Sequence, residues 1–366
     1  MKKRVFALFT AMFLLCGMLA GCGPTGSSST TTDGSDDGAK DTLIVAIPES
    51  PTYMDPMVQA SIGTYRVTTQ MFDRLVMMDN DMNLVPGLAE SWEVIDDTTT
   101  VFHLRQGVKF HNGEEMTSED VKYSLERCIA NPGVNYNYLI IESITCDDDY
   151  TVTIKTSAPF NALLYRLSLD AASIICKSAD TSAEEFNKNP VGTGPFKFVS
   201  WEKDQKVVLE KNPDYYGEEV KMKKVTILFM DEEASLAAAM SGDADVSYTA
   251  STFADMTPAG YSLLSADSVD NRGINLPTIP AEDRDGLTVG NDVLCDVAVR
   301  RAINIGIDRE LMIEHVLGGY GTPAYSVCDK MPWYNEEAET EYDFEGAVKI
   351  LEDAGWKEGK DGIREK

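Results

Sequence analysis

Residues 101–127, VFHLRQGVKFHNGEEMTSEDVKYSLER, constrain the fold more tightly than any other stretch of this chain. Thr100, Phe102 and Leu104 alternate with Val101, His103 and Arg105, the period of a half-buried strand. Asn112-Gly113 supplies a turn that tolerates positive φ. Thr117 or Ser118, followed by Glu119 and Asp120, starts a capped helix whose inner face carries Val121, Ser124, Leu125 and Cys128. Strand, turn and helix therefore follow one another in close succession, each specified by local pattern.

The same stretch holds two of the three histidines, His103 and His111, beside Glu114 and Glu115. These residue types serve metal ligation and acid–base chemistry, so a secreted metal-dependent hydrolase is one reading. No H-E-x-x-H spacing sets two histidines on one helical face. Acids in a first helical turn are also favoured there by the positive helix terminus. The stretch therefore reads as scaffold, with no catalytic residue, metal or cofactor expected. His315, alone on a later helix, reads as an ordinary packing or surface residue.

The N-terminus bears on the membrane question. Lys2-Lys3-Arg4 precedes an apolar run, Val5 to Ala20, that is too short for a comfortable membrane span and reads as an export signal. Leu19-Ala20-Gly21-Cys22 resembles the bacterial lipobox, in which the cysteine thiol receives a diacylglycerol. Each buried methylene contributes about 0.8 kcal/mol, so two acyl chains anchor stably where one is marginal. Residues 1–22 are expected to be a lipoprotein signal peptide. Residues 23–41, without an aromatic or large aliphatic side chain, are expected to be a disordered tether.

The chain of 366 residues carries 32 basic and 60 acidic residues, a net charge of −28. Its length calls for two lobes or more, and its charge is repelled by nucleic-acid phosphates and anionic headgroups. Beyond Cys22, the widely spaced Cys128, Cys146, Cys176, Cys295 and Cys328 form neither a disulfide framework nor a zinc motif, and read mostly as small buried residues.

Further along, Leu43, Val45 and Ile47 alternate as a strand ended by Pro48. The next helix is expected to place Val67, Met71, Phe72 and Leu75 on one face, and another to run from Pro159 through Asp170. PVGTGPFKFVSW bends sharply into a strand that Lys206 to Lys211 continues antiparallel; its glycines are too closely spaced for a phosphate loop. A strand at 224–230, an Ala-rich helix at 231–240 ended by Gly242, and a strand beginning Val246-Ser247-Tyr248 follow. The last third is helical, with caps at Asp308 and Asp343 and with Phe344, Ala347, Val348 and Leu351 turned inward.

Taken in order, SPTYMDP, GLAESWEV, FHLRQGVKFHNGEEMTSEDV, NPVGTGPFKFVSW with NPDYYG, SGDADVSY, DVAVRRAINIGIDRELM and AVKILEDAGW resemble the bacterial family 5 extracellular solute-binding proteins, the peptide- and nickel-binding subunits of ABC importers. The resemblance implies a two-lobed, type II periplasmic-binding-protein-like α/β fold with an extra subdomain in the first lobe. On it, residues 42–75 and 176–272 are the first lobe, 76–175 the inserted subdomain and 273–366 the start of the second. Members continue beyond the DAGW block, so the second lobe is expected to be incomplete here, without the acidic partner of a peptide's amino group.

The resemblance also implies a monomeric, lipid-anchored receptor on the outer face of the cytoplasmic membrane, or on the periplasmic side in a Gram-negative cell. It would capture peptides and deliver them to the importer's permease subunits; a nickel chelate or another small solute is the alternative. Carried onto this sequence, its ligand contacts are Ala60, Ser61 and Ile62, Tyr136 or Tyr138, and Tyr248 with Thr249. Asp55 and Pro56 are expected to build a turn rather than touch ligand.

Overall fold

The computed structural model describes residues 40–58, 61–265, 270–329, 331 and 333–366. The expected signal, Cys22, most of the tether and Ala60 lie outside the described residues. Lys40 and Asp41, expected to belong to the tether, are held in place: Lys40 pairs with Asp245 at 2.5 Å, and the Asp41 carbonyl accepts from Lys223 N at 2.7 Å.

In chain order, β1 (Thr42–Ile47) leads to α1 (Ile62–Thr68), β2 (Val76–Met78) and β3 (Leu84–Pro86). Then come β4 (Ala89–Asp96), β5 (Thr99–Leu104), α2 (Ser118–Ala130), β6 (Ile141–Asp148) and β7 (Thr151–Thr156). Two short helices, α3 (Leu163–Leu167) and α4 (Ala183–Lys188), precede β8 (Phe196–Glu202), β9 (Lys206–Lys211) and β10 (Lys224–Phe229). The chain continues through α5 (Glu232–Ser241) and β11 (Val246–Ser247). Its last part holds β12 (Glu282–Arg284), β13 (Leu287–Val289), α6 (Val297–Gly306), α7 (Arg309–Leu317), α8 (Phe344–Asp353), β14 (Lys357–Glu358) and β15 (Arg364–Glu365).

Two larger sheets organise these elements. One has the order β11-β1-β10-β9-β8, with β1 parallel to both neighbours and β8 to β10 antiparallel. The other is antiparallel, β4-β5-β7-β6. In β5, Thr100, Phe102 and Leu104 are buried, as the alternation requires. Gly113 takes φ +90° at the turn, and Thr117 N donates to Asp120 Oδ2 at 3.0 Å to start α2. Such a cap is worth about 1 kcal/mol. Val121, Ser124, Leu125 and Cys128 are all buried. One apolar core runs continuously from Ile47 through Phe72, Phe102 and Phe186 to Ile227, so both sheets share it.

Residues 70–75 differ from their expected helical form. α1 ends at Thr68, and the segment beyond it is held by partners on both sides. The Gln70 and Met71 carbonyls accept from Phe196 N and Gly194 N at 3.1 and 2.9 Å. Asp73 O accepts from Ile174 N at 2.9 Å, and Arg74 O accepts from Leu88 N at 2.8 Å. Carbonyls engaged this way are not available to a helix. Met71, Phe72 and Leu75 are buried nonetheless. The expected Pro159 helix is likewise shorter, covering only Leu163–Leu167 with a single 3₁₀ turn at Asp170–Ala172.

Caps at Asp231, Asp296, Asp308 and Asp343 fix the starts of α5 to α8. Val299 and Ala302 of α6 and Ala347 of α8 are buried, whereas Phe344, expected inward, faces solvent. α7 buries no residue, and its Leu311, Met312 and Val316 are exposed. Of the five cysteines among the described residues, Cys128 and Cys176 are buried, the other three are partly exposed, and all five are free thiols.

Candidate ligand-binding site

Strands β10, β1 and β11 run parallel, so their carboxyl ends at Phe229, Ile47 and Ser247 share one edge of the sheet. Chains leave such an edge in different directions, and the crevice left between them is where α/β sheets receive ligands. A cleft of about 720 Å³ opens here, lined by Pro48, Ser50, Phe229, Asp231, Glu233 and Phe253. Ligand pockets typically enclose roughly 300–1,000 Å³.

Helix α1 is fastened against this edge by its first turn. Ser61 Oγ accepts from Thr64 N at 3.3 Å, and Gly63 N donates to Glu49 Oε2 at 3.3 Å. A Cβ at Gly63 would overlap the Glu49 main chain at 2.5–2.9 Å, so only glycine lets the helix approach the segment leaving β1 this closely. The buried face of α1 is Gly63, Thr64, Val67 and Thr68. Its outer face therefore carries Ile62, Tyr65 and Arg66, at the i, i+3, i+4 spacing.

At the end of β11, Tyr248 N donates to Ala46 O at 2.9 Å, and the Tyr248 ring lies under the Arg66 guanidinium at 4.4 Å. Tyr248 stays 45% exposed. The neighbouring Thr249 Oγ1 is buried without a hydrogen-bond partner among the described residues, a condition costing about 1–3 kcal/mol until it is met. Tyr136 is 72% exposed and close enough to α1 to act, after burial and Asp170, in raising the Tyr65 hydroxyl's pKa.

The sequence-derived contacts thus separate. Ser61, Ile62, Tyr248 and Thr249 belong to α1 and the strand end it faces, and Tyr136 lies beside them. Tyr138 does not: it is fully buried, its hydroxyl donates to Arg166 O at 3.2 Å, and burial pushes its pKa up. It props the loop that carries Tyr136. Tyr65 and Arg66 escaped the sequence reading because Met71, Phe72 and Leu75 had been placed on the same helix. The exposed i, i+3, i+4 face of a shorter helix is the signal that finds them.

Asp55 is a buried turn residue, as its position suggested. Its carboxylate accepts from Met57 N at 2.9 Å and takes both ends of the Arg127 guanidinium at 3.1 and 2.5 Å.

His111 belongs to the scaffold. Its backbone N donates to Gly192 O at 2.8 Å, its Nε2 donates to Gly194 O at 3.0 Å, and its Nδ1 accepts from Gly192 N at 3.3 Å. Both ring nitrogens are engaged with the GTG bend, which leaves no lone pair for a metal or a substrate proton. Burial lowers its pKa from 6.5 to about 4. His103 lies instead on β5 with Glu93 Oε1 at 3.6 Å. Among the described residues no three His, Cys, Asp or Glu side chains converge to hold a metal.

The low His111 pKa sets a pH dependence. Between pH 4 and 6.5 the unfolded chain binds the extra proton, so stability is full above 6.5 and falls as pH drops towards 4. The imidazole's share of that loss is about 3 kcal/mol. Burial pushes Asp73 up to about 6, which acts in the opposite sense, so the comparison must be with a variant. Urea titrations at pH 7 and pH 4.5 should show the wild type losing its advantage over His111→Asn on acidification. A constant difference between the two proteins would refute the buried neutral imidazole.

Residues 83–366 match the family described as bacterial extracellular solute-binding proteins, family 5 Middle. Protein XP55 of Streptomyces lividans is 30% identical over 358 residues, covering 93% of this chain and 62% of that protein. The oligopeptide-binding protein AppA of Bacillus subtilis is 28% identical over 389 residues, covering 100% of this chain and 70% of that one. Among solved structures, NikZ from Campylobacter jejuni in complex with Ni(L-His) superposes with a TM-score of 0.77 at 28% identity, covering 90% of this chain and 66% of its own. The chain therefore spans less than two-thirds of the length of XP55 and about two-thirds of NikZ. The fold is that of the type II periplasmic binding proteins.

Proposed function

The chain belongs to the bacterial extracellular solute-binding proteins of family 5, and on that premise we propose that it captures peptides and delivers them to an ABC importer without transforming them. The carrying observation is the pairing of the outer face of α1 with Tyr248 at the carboxyl edge of the sheet. Exposed tyrosine faces accept varied side chains at low entropic cost, which suits a site that reads what all peptides share. The oligopeptide-binding AppA supports a peptide, while the Ni(L-His) bound to NikZ supports a nickel chelate as the second reading. The five-stranded sheet would belong to the first lobe, residues 76–175 to an inserted subdomain, and 273–366 to a second lobe that closes on the ligand. Cys22 would carry the lipid that holds this monomeric receptor outside the membrane.

A thermal-shift screen with di- to hexapeptides and with nickel–histidine tests this reading. A peptide at 100 times its Kd adds about 2.7 kcal/mol of stability. Tyr248→Ala should weaken that peptide about five- to tenfold, the worth of one aromatic contact. Stabilisation by nickel–histidine and by no peptide would move the assignment to the chelate. For the anchor, labelled palmitate should enter the wild type and not Cys22→Ala; equal labelling would refute lipidation at that residue.

A further inference from the structure

We propose that Arg66, beside Tyr248 at the carboxyl edge of the five-stranded sheet, is a carboxylate anchor, so that the preferred ligands carry a free carboxylate beside an apolar or aromatic group. The inference rests on the peptide reading above and specifies the ligand chemistry at the same site.

The geometry of the Arg66–Tyr248 stack carries it. The guanidinium carbon sits 4.4 Å from the ring centroid, within the range of a cation–π contact. That contact is made with the π face of the ring, which offers the guanidinium N–H groups no carboxylate or carbonyl oxygen. Those N–H groups form the fork that receives a carboxylate through two parallel hydrogen bonds.

Most other arginines already use that fork. Arg74 donates to Asp170, Arg127 to Asp55, Arg166 to Asn137, Arg300 to two carbonyls and Arg309 to Asn304. Among the described residues, Arg66 donates to no carboxylate or carbonyl. Its availability stands out in a chain with 60 acidic residues to choose from. Nor is Arg66 a loosely placed surface residue: α1 is fastened by Gly63 and Glu49, and Tyr248 by its hydrogen bond to Ala46. The guanidinium is held over Tyr248 before a ligand arrives, which limits the ordering entropy of binding.

Neighbouring groups fit a ligand at this point. Ile62 and Tyr65 of the same α1 face give exposed apolar surface. The net charge of −28 repels anions from the protein as a whole. A preference for a carboxylate would therefore report a local cation and not the overall field.

The test compares free-acid and C-terminally amidated forms of one peptide identified in the screen, by titration calorimetry at physiological salt. Wild type should bind the free acid at least tenfold more tightly than the amide. Arg66→Gln should bring both to the amide's affinity, and Arg66→Lys, with charge but no fork, should retain a partial preference. Equal binding of acid and amide by wild type, or an unchanged preference in Arg66→Gln, overturns the anchor while leaving the peptide reading intact. Binding of neither form by wild type, for any peptide, overturns both.

Discussion

Replacing Arg127 by methionine is expected to lower the stability of the folded chain by about 3–5 kcal/mol, the cost of breaking one partner out of a buried charge network. Arg127 meets Asp55 through both terminal nitrogens and Asp180 through Nε at 2.7 Å. The side chains of Asp55 and Asp180 are only 2% and 7% exposed, so neither has water to replace the guanidinium. Tyr123 also donates to Asp180 at 2.7 Å, and Arg127 covers the Phe186 ring at 5.6 Å. The network therefore joins the loop after β1, helix α2 and the segment entering α4. Urea denaturation should show a lower midpoint with an unchanged slope. Adding Asp55→Asn should cost less than the two single changes summed, because both remove one interaction. A loss below about 1 kcal/mol would show that the pair is solvated in solution.

Gly192→Ala should cost about 3 kcal/mol, at the upper end of overpacking penalties, because the obstacle is backbone and not a movable side chain. A Cβ at Gly192 would overlap Met71 O and Phe72 Cδ1, and one at Gly194 would sit 2.6 Å from Met71 C. The displaced segment also carries the bonds to His111, so both sides of the junction must move. Gly273 is the control: a Cβ there meets nothing within 4 Å. Gly273→Ala should leave stability within about 0.5 kcal/mol of wild type. Equal effects at the two glycines would contradict the packing at the GTG bend.

The share of this protein legible in the sequence follows the range of the interactions involved. The alternation of β5, the Asn112-Gly113 turn and the Thr117–Asp120 cap depend on residues a few positions apart, and each formed where the pattern placed it. The aspartate caps of α7 and α8 were read for the same reason. The misses are positions where distant partners prevail. Gln70 and Met71 lie in an apolar run of helical period, yet their carbonyls are taken by Phe196 and Gly194. Tyr136 and Tyr138 are equivalent as text, two positions apart in one loop. Only the packing of Arg166 against Tyr138 turns one inward and leaves the other to solvent.

His111 shows the same division from the side of chemistry. Beside Glu114 and Glu115 it has the composition of a reaction centre, and composition cannot say which lone pairs are already in use. The fold places Gly192 and Gly194 against both ring nitrogens and so makes it a brace. By itself the sequence determined the local caps and turns, which rest on propensity, period and short-range hydrogen bonds, and the order of motifs that marks the family and implies its α/β fold. The tertiary structure alone decided which tyrosine is exposed and which histidine is occupied. It alone set Arg66 over Tyr248, because exposure and contact depend on partners brought in from distant parts of the chain.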